Sequence, residues 1–200
     1  MKKEPDQKDN KSRLRQALRQ RRREIDELHR NVLDTAINTH LAEFVRGEGH
    51  RVIAAYLAFD GEPDLHQALT QLAQEGVTLA LPVVHDVPGR DFITFRQWEI
   101  EKKLARNRFG IREPVDAVEI PLAAVDLVLV PLVGWDRNGG RLGMGASFYD
   151  RMFQPFSLQD RPLRMGVGYG VQETGEIPLD HWDIRLHAML TENGWFTCPG

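Results

Sequence analysis

Residues 126–153 read DLVLVPLVGWDRNGGRLGMGASFYDRMF, and this stretch decides the fold. Its first eight residues form a nearly continuous apolar run rich in valine, the pattern of a strand buried on both faces. A loop follows that carries Gly134, Gly139, Gly140, Gly143 and Gly145, so its backbone can approach a ligand closely. Residues 148–156 then read as a short helix. In open α/β sheets, ligands bind beyond the carboxyl ends of the strands, where such a loop lies. Its N–H groups are suited to an anion nest at the start of the helix. Arg141 adds a planar cation that matches phosphate, and Asp150 and Arg151 follow within a turn. A carboxylate beside a phosphate nest is an arrangement that suits Mg²⁺. The pattern is neither a Walker loop nor a dinucleotide GxGxxG. Turn glycines of an ordinary hairpin would look the same, so glycine content alone leaves the function open.

Outward from this stretch, 51–57 (RVIAAYL), 77–84 (VTLALPVV), 164–169 (RMGVGY) and 184–190 (IRLHAML) also read as strands. Residues 91–95 (DFITF) alternate weakly and suit an edge strand. Residues 64–75 read as a helix. Val32, Leu33, Ala36, Ile37, Leu41 and Phe44 recur at helical intervals, with Gly47 or Gly49 ending that helix. Strands alternating with helices predict a three-layer α/β/α domain with a largely parallel central sheet. No repeat or long linker interrupts the pattern. One domain over residues 10–200, behind a disordered tail at 1–9, is expected.

The 200-residue chain is 42% hydrophobic and 28% charged, an ordinary globular mixture. Its single cysteine, Cys198, excludes an internal disulfide and a cysteine-based zinc site. No apolar run approaches the ~20 residues that cross a bilayer, and the polar N-terminal stretch lacks the apolar centre of a secretory signal. A cytoplasmic protein is expected, with no membrane partner.

Charge is uneven. Residues 1–30 hold eleven Lys/Arg against six Asp/Glu, and the other 170 hold fifteen against twenty-three. Lys11, Arg15, Arg19 and Arg22 repeat at helical spacing and share one face. Leu14, Leu18, Ile25 and Leu28 lie on another, so the helix can pack while presenting its cations. Asp9 or Asn10 is placed to cap it. Such a run suits a solvated face, a nucleic-acid tail or a phosphate-binding helix. Against the nucleic-acid reading, the remaining chain is acidic and no aromatic residue interleaves with the arginines.

Arg141-Leu142-Gly143-Met144-Gly145-Ala146-Ser147-Phe148-Tyr149-Asp150-Arg151 resembles the RLGxGxGxYDR signature of the 5-formyltetrahydrofolate cyclo-ligase family. Further blocks follow in that family's order. Lys11-Ser12-Arg13-Leu14-Arg15 is similar to its K-x-x-LR, and Phe109 to Pro114 to its GIxEP segment. Asp126 to Pro131, Val167 to Gln172 and Pro178 to Asp183 resemble its later elements. Ala146 and Ser147 stand where the family usually has glycines, Trp135 where Phe is frequent, and His187 where Asp is common.

The resemblance implies an ATP-dependent enzyme that cyclises 5-formyltetrahydrofolate to 5,10-methenyltetrahydrofolate. It also implies a sheet like those of sugar-phosphate isomerases and CoA transferases. By its motifs, Lys11, Ser12, Arg13, Leu14 and Arg15 would hold ATP. So would the loop Arg141, Leu142, Gly143, Met144, Gly145, Ala146, Ser147, Phe148 and Tyr149, with Arg141 and Tyr149 nearest the chemistry. Leu57 and Glu62 would meet the folate, together with Met144, Gly145, Ala146, Ser147 and Phe148. Asp150 and Asp183 would carry Mg²⁺. Phe148, Tyr149 and Trp135 offer rings to the pterin or aminobenzoyl group, and Arg106 and Arg108 offer charge to the glutamate tail. A monomer with a small-molecule substrate and no nucleic acid is expected. A relative that binds such ligands without turning them over is the competing possibility, and the Ala146-Ser147 departure is its support.

Overall fold

The computed structural model describes residues 7–87, 91–157 and 160–199. Helices α1 (Gln7–Arg23) and α2 (Glu27–Glu48) open the chain, followed by β1 (Val52–Ala54), α3 (His66–Gln74), β2 (Thr78–His85) and β3 (Phe92–Gln97). A hairpin of β4 (Leu104–Arg106) and β5 (Arg112–Pro114) leads to β6 (Glu119–Ile120) and β7 (Leu127–Pro131). After β8 (Gly134–Trp135), β9 (Arg141–Leu142) and α4 (Phe148–Phe153) come β10 (Leu163–Val167), β11 (Ala188–Thr191) and β12 (Gly194–Thr197).

Eight strands form the central sheet in the order β12-β11-β10-β7-β1-β2-β3-β6. The five strands from β11 to β2 are parallel. The outer strands β12, β3 and β6 are antiparallel. The mixed α/β fold with a mostly parallel sheet is therefore as expected.

Period-two geometry explains why β7 reads as an unbroken apolar run. Leu127 and Leu129 enter a core with Ile37, Leu41, Leu69 and Leu72 of α2 and α3. Val128 and Val130 point the other way, into a cluster with Phe95, Phe153 and Met189. Both faces of the strand are buried, so both sets of positions are apolar. A truncation such as Leu129→Ala would cost about 2–5 kcal/mol.

Helix α2 is set by its ends. Asp26 caps it by accepting from the His29 N–H at 2.9 Å, and Gly49 closes it in the left-handed region at φ 69°. Gly47 lies inside the helix. Helix α1 begins at Gln7, so Asp9 and Asn10 are helical rather than caps or tail; residues 1–6 lie outside the described residues. The expected apolar face of α1 holds at Leu18, which is 1% exposed, but Leu28 belongs to α2 and is 75% exposed. The chain changes direction after Arg23, which rotates Leu28 away from the face its spacing suggested.

Three strand expectations change. Of residues 91–95, 92–95 fall in β3, which is not the edge, because β6 hydrogen-bonds outside it. The 51–57 run gives a strand of only three residues, since its later residues turn into the site. The 184–190 run is strand only from Ala188. Among the described residues, no helix is long and apolar enough to cross a membrane.

Candidate active site

A cavity of about 380 Å³ opens where β1, β2 and β7 end. Tyr56 and Leu57 follow β1, Pro82 and Val84 lie on β2, and Pro131 and Leu132 leave β7; all line it. Five further groups close around it: α1, the loop after β1, the β4–β5 hairpin, the glycine-rich loop with the start of α4, and the segment before β11 that carries Asp183.

Helix α1 contributes Lys11 and Arg15. Lys11 is only 8% exposed, and its ammonium lies 2.6 Å from both Asp180 Oδ2 and Asp183 Oδ2. Burial alone would lower its pKa, but the two carboxylates outweigh that and raise it, so Lys11 is a fixed cation. Arg15 donates from Nε to the Gly143 carbonyl at 2.8 Å, tying the helix to the glycine-rich loop. Ser12 and Arg13 are exposed and away from the cavity, and Leu14 packs with Leu18, Val133, Leu142 and Ile177. These three do not meet the cavity as the motif suggested, because alternate helix faces cannot turn inward together.

The rest of the arginine run has a different use. Arg19, Arg22 and Arg23 all converge on Asp60, the first two at 2.9 and 3.0 Å. Arg22 is fully buried and also donates to the Leu132 carbonyl. Arg30 on α2 donates to the Gly61 carbonyl at 2.6 Å. Burial would raise the Asp60 pKa, but the arginines prevail and hold it at about 2. The run therefore pins the loop that carries Leu57 and Glu62. An Asp60→Asn variant should lose about 2 kcal/mol of stability at pH 7. The stabilisation is present above the ordinary Asp pKa and fades as pH falls toward 2. Urea titrations of both proteins at pH 7 and pH 3 check this, with a smaller difference expected at pH 3.

Glu62 faces the cavity with Oε2 accepting from the Phe59 N–H at 3.1 Å. Burial pushes its carboxyl up to about 7, against the opposing charge of Arg22. Tyr149 is pushed well above the usual phenol range by burial and then by the Glu62 charge. Its hydroxyl stays protonated and can donate.

The glycine-rich loop is organised by a residue that the motif reading missed. Asp136 is 3% exposed; its carboxylate accepts from the backbone N–H groups of Asn138, Gly140 and Ile177, each at 2.8 Å. A Cβ on Gly140 would lie 2.3 Å from Asp136 Oδ2, and Gly139 sits at φ 79°. These glycines therefore serve the hairpin of β8 and β9. Toward the cavity, Arg141 donates to the Asp150 carboxylate and to the Ile184 carbonyl. Met144, Gly145, Ala146, Ser147, Phe148 and Tyr149 all line the cavity. Ser147 occupies the left-handed region at φ 51°, where glycine would be unstrained.

Asp150 and Asp183 line the same cavity. Each has one engaged oxygen. Asp150 Oδ1 accepts from Arg141 and from Ile184 N, and Asp183 Oδ2 from Lys11 and Asp180 N. The other oxygen of each has no hydrogen bond among the described residues. Two hard carboxylate donors lining one cavity fit Mg²⁺, which completes its shell with phosphate oxygens and water. Among the described residues, no cluster of three or more His, Cys, Asp or Glu could hold a metal without such help. Trp135 is buried against Phe196 rather than in the cavity. Arg108 is paired with Asp86 and Asp91, whereas Arg106 donates to the neutral Gly110 carbonyl and keeps its charge.

The family model for 5-formyltetrahydrofolate cyclo-ligases matches residues 7–192. The chain belongs to the 5-formyltetrahydrofolate cyclo-ligase family. It is 32% identical to the 5-formyltetrahydrofolate cyclo-ligase of Escherichia coli K12 over 87% of this chain and 96% of that one. Against the Haemophilus influenzae enzyme of the same name it is 29% identical, covering 88% and 95%. The NMR structure of Aquifex aeolicus 5,10-methenyltetrahydrofolate synthetase superimposes with a TM-score of 0.79 at 29% identity, covering 95% of this chain and 93% of that one. The cyclo-ligase family therefore spans α1 through β11. The Arg–Asp60 cluster and the Asp136 turn lie within that span.

Proposed function

We propose that this cyclo-ligase family member closes 5-formyltetrahydrofolate to 5,10-methenyltetrahydrofolate, with ATP converted to ADP and phosphate. The observation that carries the reading is the convergence of Lys11, Arg15, Arg141, Asp150 and Asp183 on one cavity that also holds Glu62. The cations and the Asp150–Asp183 pair offer a place for Mg-nucleotide, and Glu62 offers a carboxylate for a pterin.

The amide oxygen of the formyl group is a poor leaving group. It attacks the γ-phosphorus and ADP departs, leaving an iminium phosphate at N5. N10 then attacks the formyl carbon, loses its proton, and phosphate leaves with the C–O electron pair. The product is the cyclic amidinium. Phosphoryl transfer of this kind needs alignment and charge neutralisation more than covalent help from the protein. Lys11 and Arg15 on α1 are set to meet phosphate oxygens. Arg141 lies beside Asp150, where charge builds on the transferred group. Mg²⁺, held by Asp150 and Asp183, would supply neutralisation of the phosphate oxygens. Glu62 accepts from the pterin's amino and ring N–H groups, and the Tyr149 hydroxyl can donate to the formyl oxygen. Phe148 offers its ring to the aminobenzoyl group.

Substrate labelled with ¹⁸O in the formyl group tests the route. The label should appear in inorganic phosphate, one atom per methenyl product. Label released as water would contradict phosphoryl activation. Lys11→Ala should raise the KM for ATP at least tenfold and leave the KM for folate within about twofold. Equal shifts in both would contradict a phosphate role for Lys11. Steady-state kinetics with each substrate varied in turn decides between them.

A further inference from the structure

The β4–β5 hairpin carries a cation with no partner in the phosphate or pterin roles. Residues 102–112 contain Lys102, Lys103, Arg106, Arg108 and Arg112 and no acidic residue. Lys102 pairs with Glu99, Arg106 turns to the Gly110 carbonyl, and Arg108 pairs with Asp86 and Asp91. Arg112 differs. It is exposed and lines the cavity, with no ion pair or hydrogen bond to any described residue. It also stands directly opposite Arg106 across the hairpin. Like charges at facing positions destabilise a strand pair, so the pair favours an anion beside it. The adjoining acid, Glu113, is turned inward and accepts from Val84 N–H and Asn107 Nδ2, so it does not neutralise Arg112.

The neighbours give the direction. Phe109, at the hairpin tip, is 44% exposed, lines the cavity, and meets Phe148 edge-on at 6.1 Å. The hairpin lies by β2, to which Glu113 bonds, whereas the partners of Lys11 lie between β10 and β11. In the sheet those positions are on opposite sides of β1. Arg112 therefore lies on the other side of β1 from the partners of Lys11, on the hairpin that carries Phe109.

We infer that Arg112 binds a carboxylate of the glutamate that the folate carries beyond its aminobenzoyl ring, with Arg106 adding to the local positive field. This rests on the substrate proposed above. A guanidinium matches a carboxylate in a bidentate way.

The test compares 5-formyltetrahydrofolate with 5-formyltetrahydropteroate, which lacks the glutamate, in both equilibrium binding and turnover. Arg112→Ala should weaken binding of the folate about tenfold, leave the pteroate compound within twofold, and leave the KM for ATP unchanged. Arg112→Lys should recover part of the loss. Equal weakening for both compounds, or a change confined to ATP, would overturn the assignment. Wild-type protein that binds both compounds but cyclises neither would sink the proposed reaction, while the binding ratio still tests Arg112. Wild-type protein that binds neither compound overturns both.

Discussion

Asp150→Asn lowers Mg-ATP-dependent cyclisation by about 10²–10³-fold while the protein keeps its fold. The side chain keeps its size, so Ile184 N–H retains an acceptor. Two electrostatic functions disappear. Arg141 loses its carboxylate partner and can settle on other anions. The amide that replaces the carboxylate is a poor ligand for a hard divalent ion. Loss of one preorganised charge at a transition state costs rate on this scale. The metal part is separable from the ion-pair part. Raising Mg²⁺ should recover part of the variant's activity, with a shifted titration midpoint. A fall in kcat with an unchanged Mg²⁺ midpoint would restrict Asp150 to holding Arg141. Wild-type turnover would remove it from the chemistry altogether.

Glu62→Gln has two opposed effects, and their combination is diagnostic. The carboxylate can accept from two pterin donors at once, whereas the amide offers one acceptor and one donor. Losing a charged hydrogen bond of about 2 kcal/mol raises the KM for folate roughly thirtyfold, with little change for ATP. The pH profile follows the same group. With its carboxyl at about 7, Glu62 is protonated below neutrality. Folate kcat/KM should fall as pH drops below 7 in the wild type and stay flat in the variant.

Stability moves the other way. A carboxyl raised by burial disfavours folding once it must ionise. The cost is absent below the ordinary Glu pKa of about 4.5, grows between there and 7, and is full above 7. Glu62→Gln should therefore be more stable than wild type at pH 8, by up to about 3 kcal/mol, with no gain at pH 4. Denaturant titrations at the two pH values measure it. A variant that binds folate worse and folds better marks a residue kept for its site. If it loses both binding and stability, Glu62 is a structural carboxylate instead.

The central strand and its loop were legible because their physics is local. Burial on both faces writes a continuous apolar run, as at β7, and a cap such as Gly49 marks a helix end in one letter. The cavity's loop residues from Met144 to Tyr149 came with the motif. What was not legible depends on partners far along the chain. Asp60 looks like an ordinary loop carboxylate until Arg19, Arg22 and Arg23, some forty residues earlier, fold onto it. Arg22 looks like a surface cation and is fully buried. The β4–β5 and β8–β9 pairs use strands of two or three residues, too short for any periodicity to register. Asp136 announced nothing, since its three acceptor contacts are with backbone groups. Arg106 and Arg108 seemed free in the sequence and are turned to hairpin and loop partners in the fold, and of the basic residues at 102–112 it is Arg112 that lines the cavity.

Ser147 shows how a local departure is absorbed. Its left-handed backbone costs of order 1 kcal/mol relative to glycine, yet its residue still lines the cavity beside Phe148 and Tyr149. The backbone course suited to glycine is thus kept with serine in place.

Absorbance of the purified protein with 5-formyltetrahydrofolate, ATP and Mg²⁺ is the most direct test, because the conjugated methenyl product absorbs at longer wavelength than the substrate. A rise that requires all three components and matches ADP formation one for one is expected. Folded protein that binds both ligands but produces neither the rise nor ADP would contradict the proposed reaction.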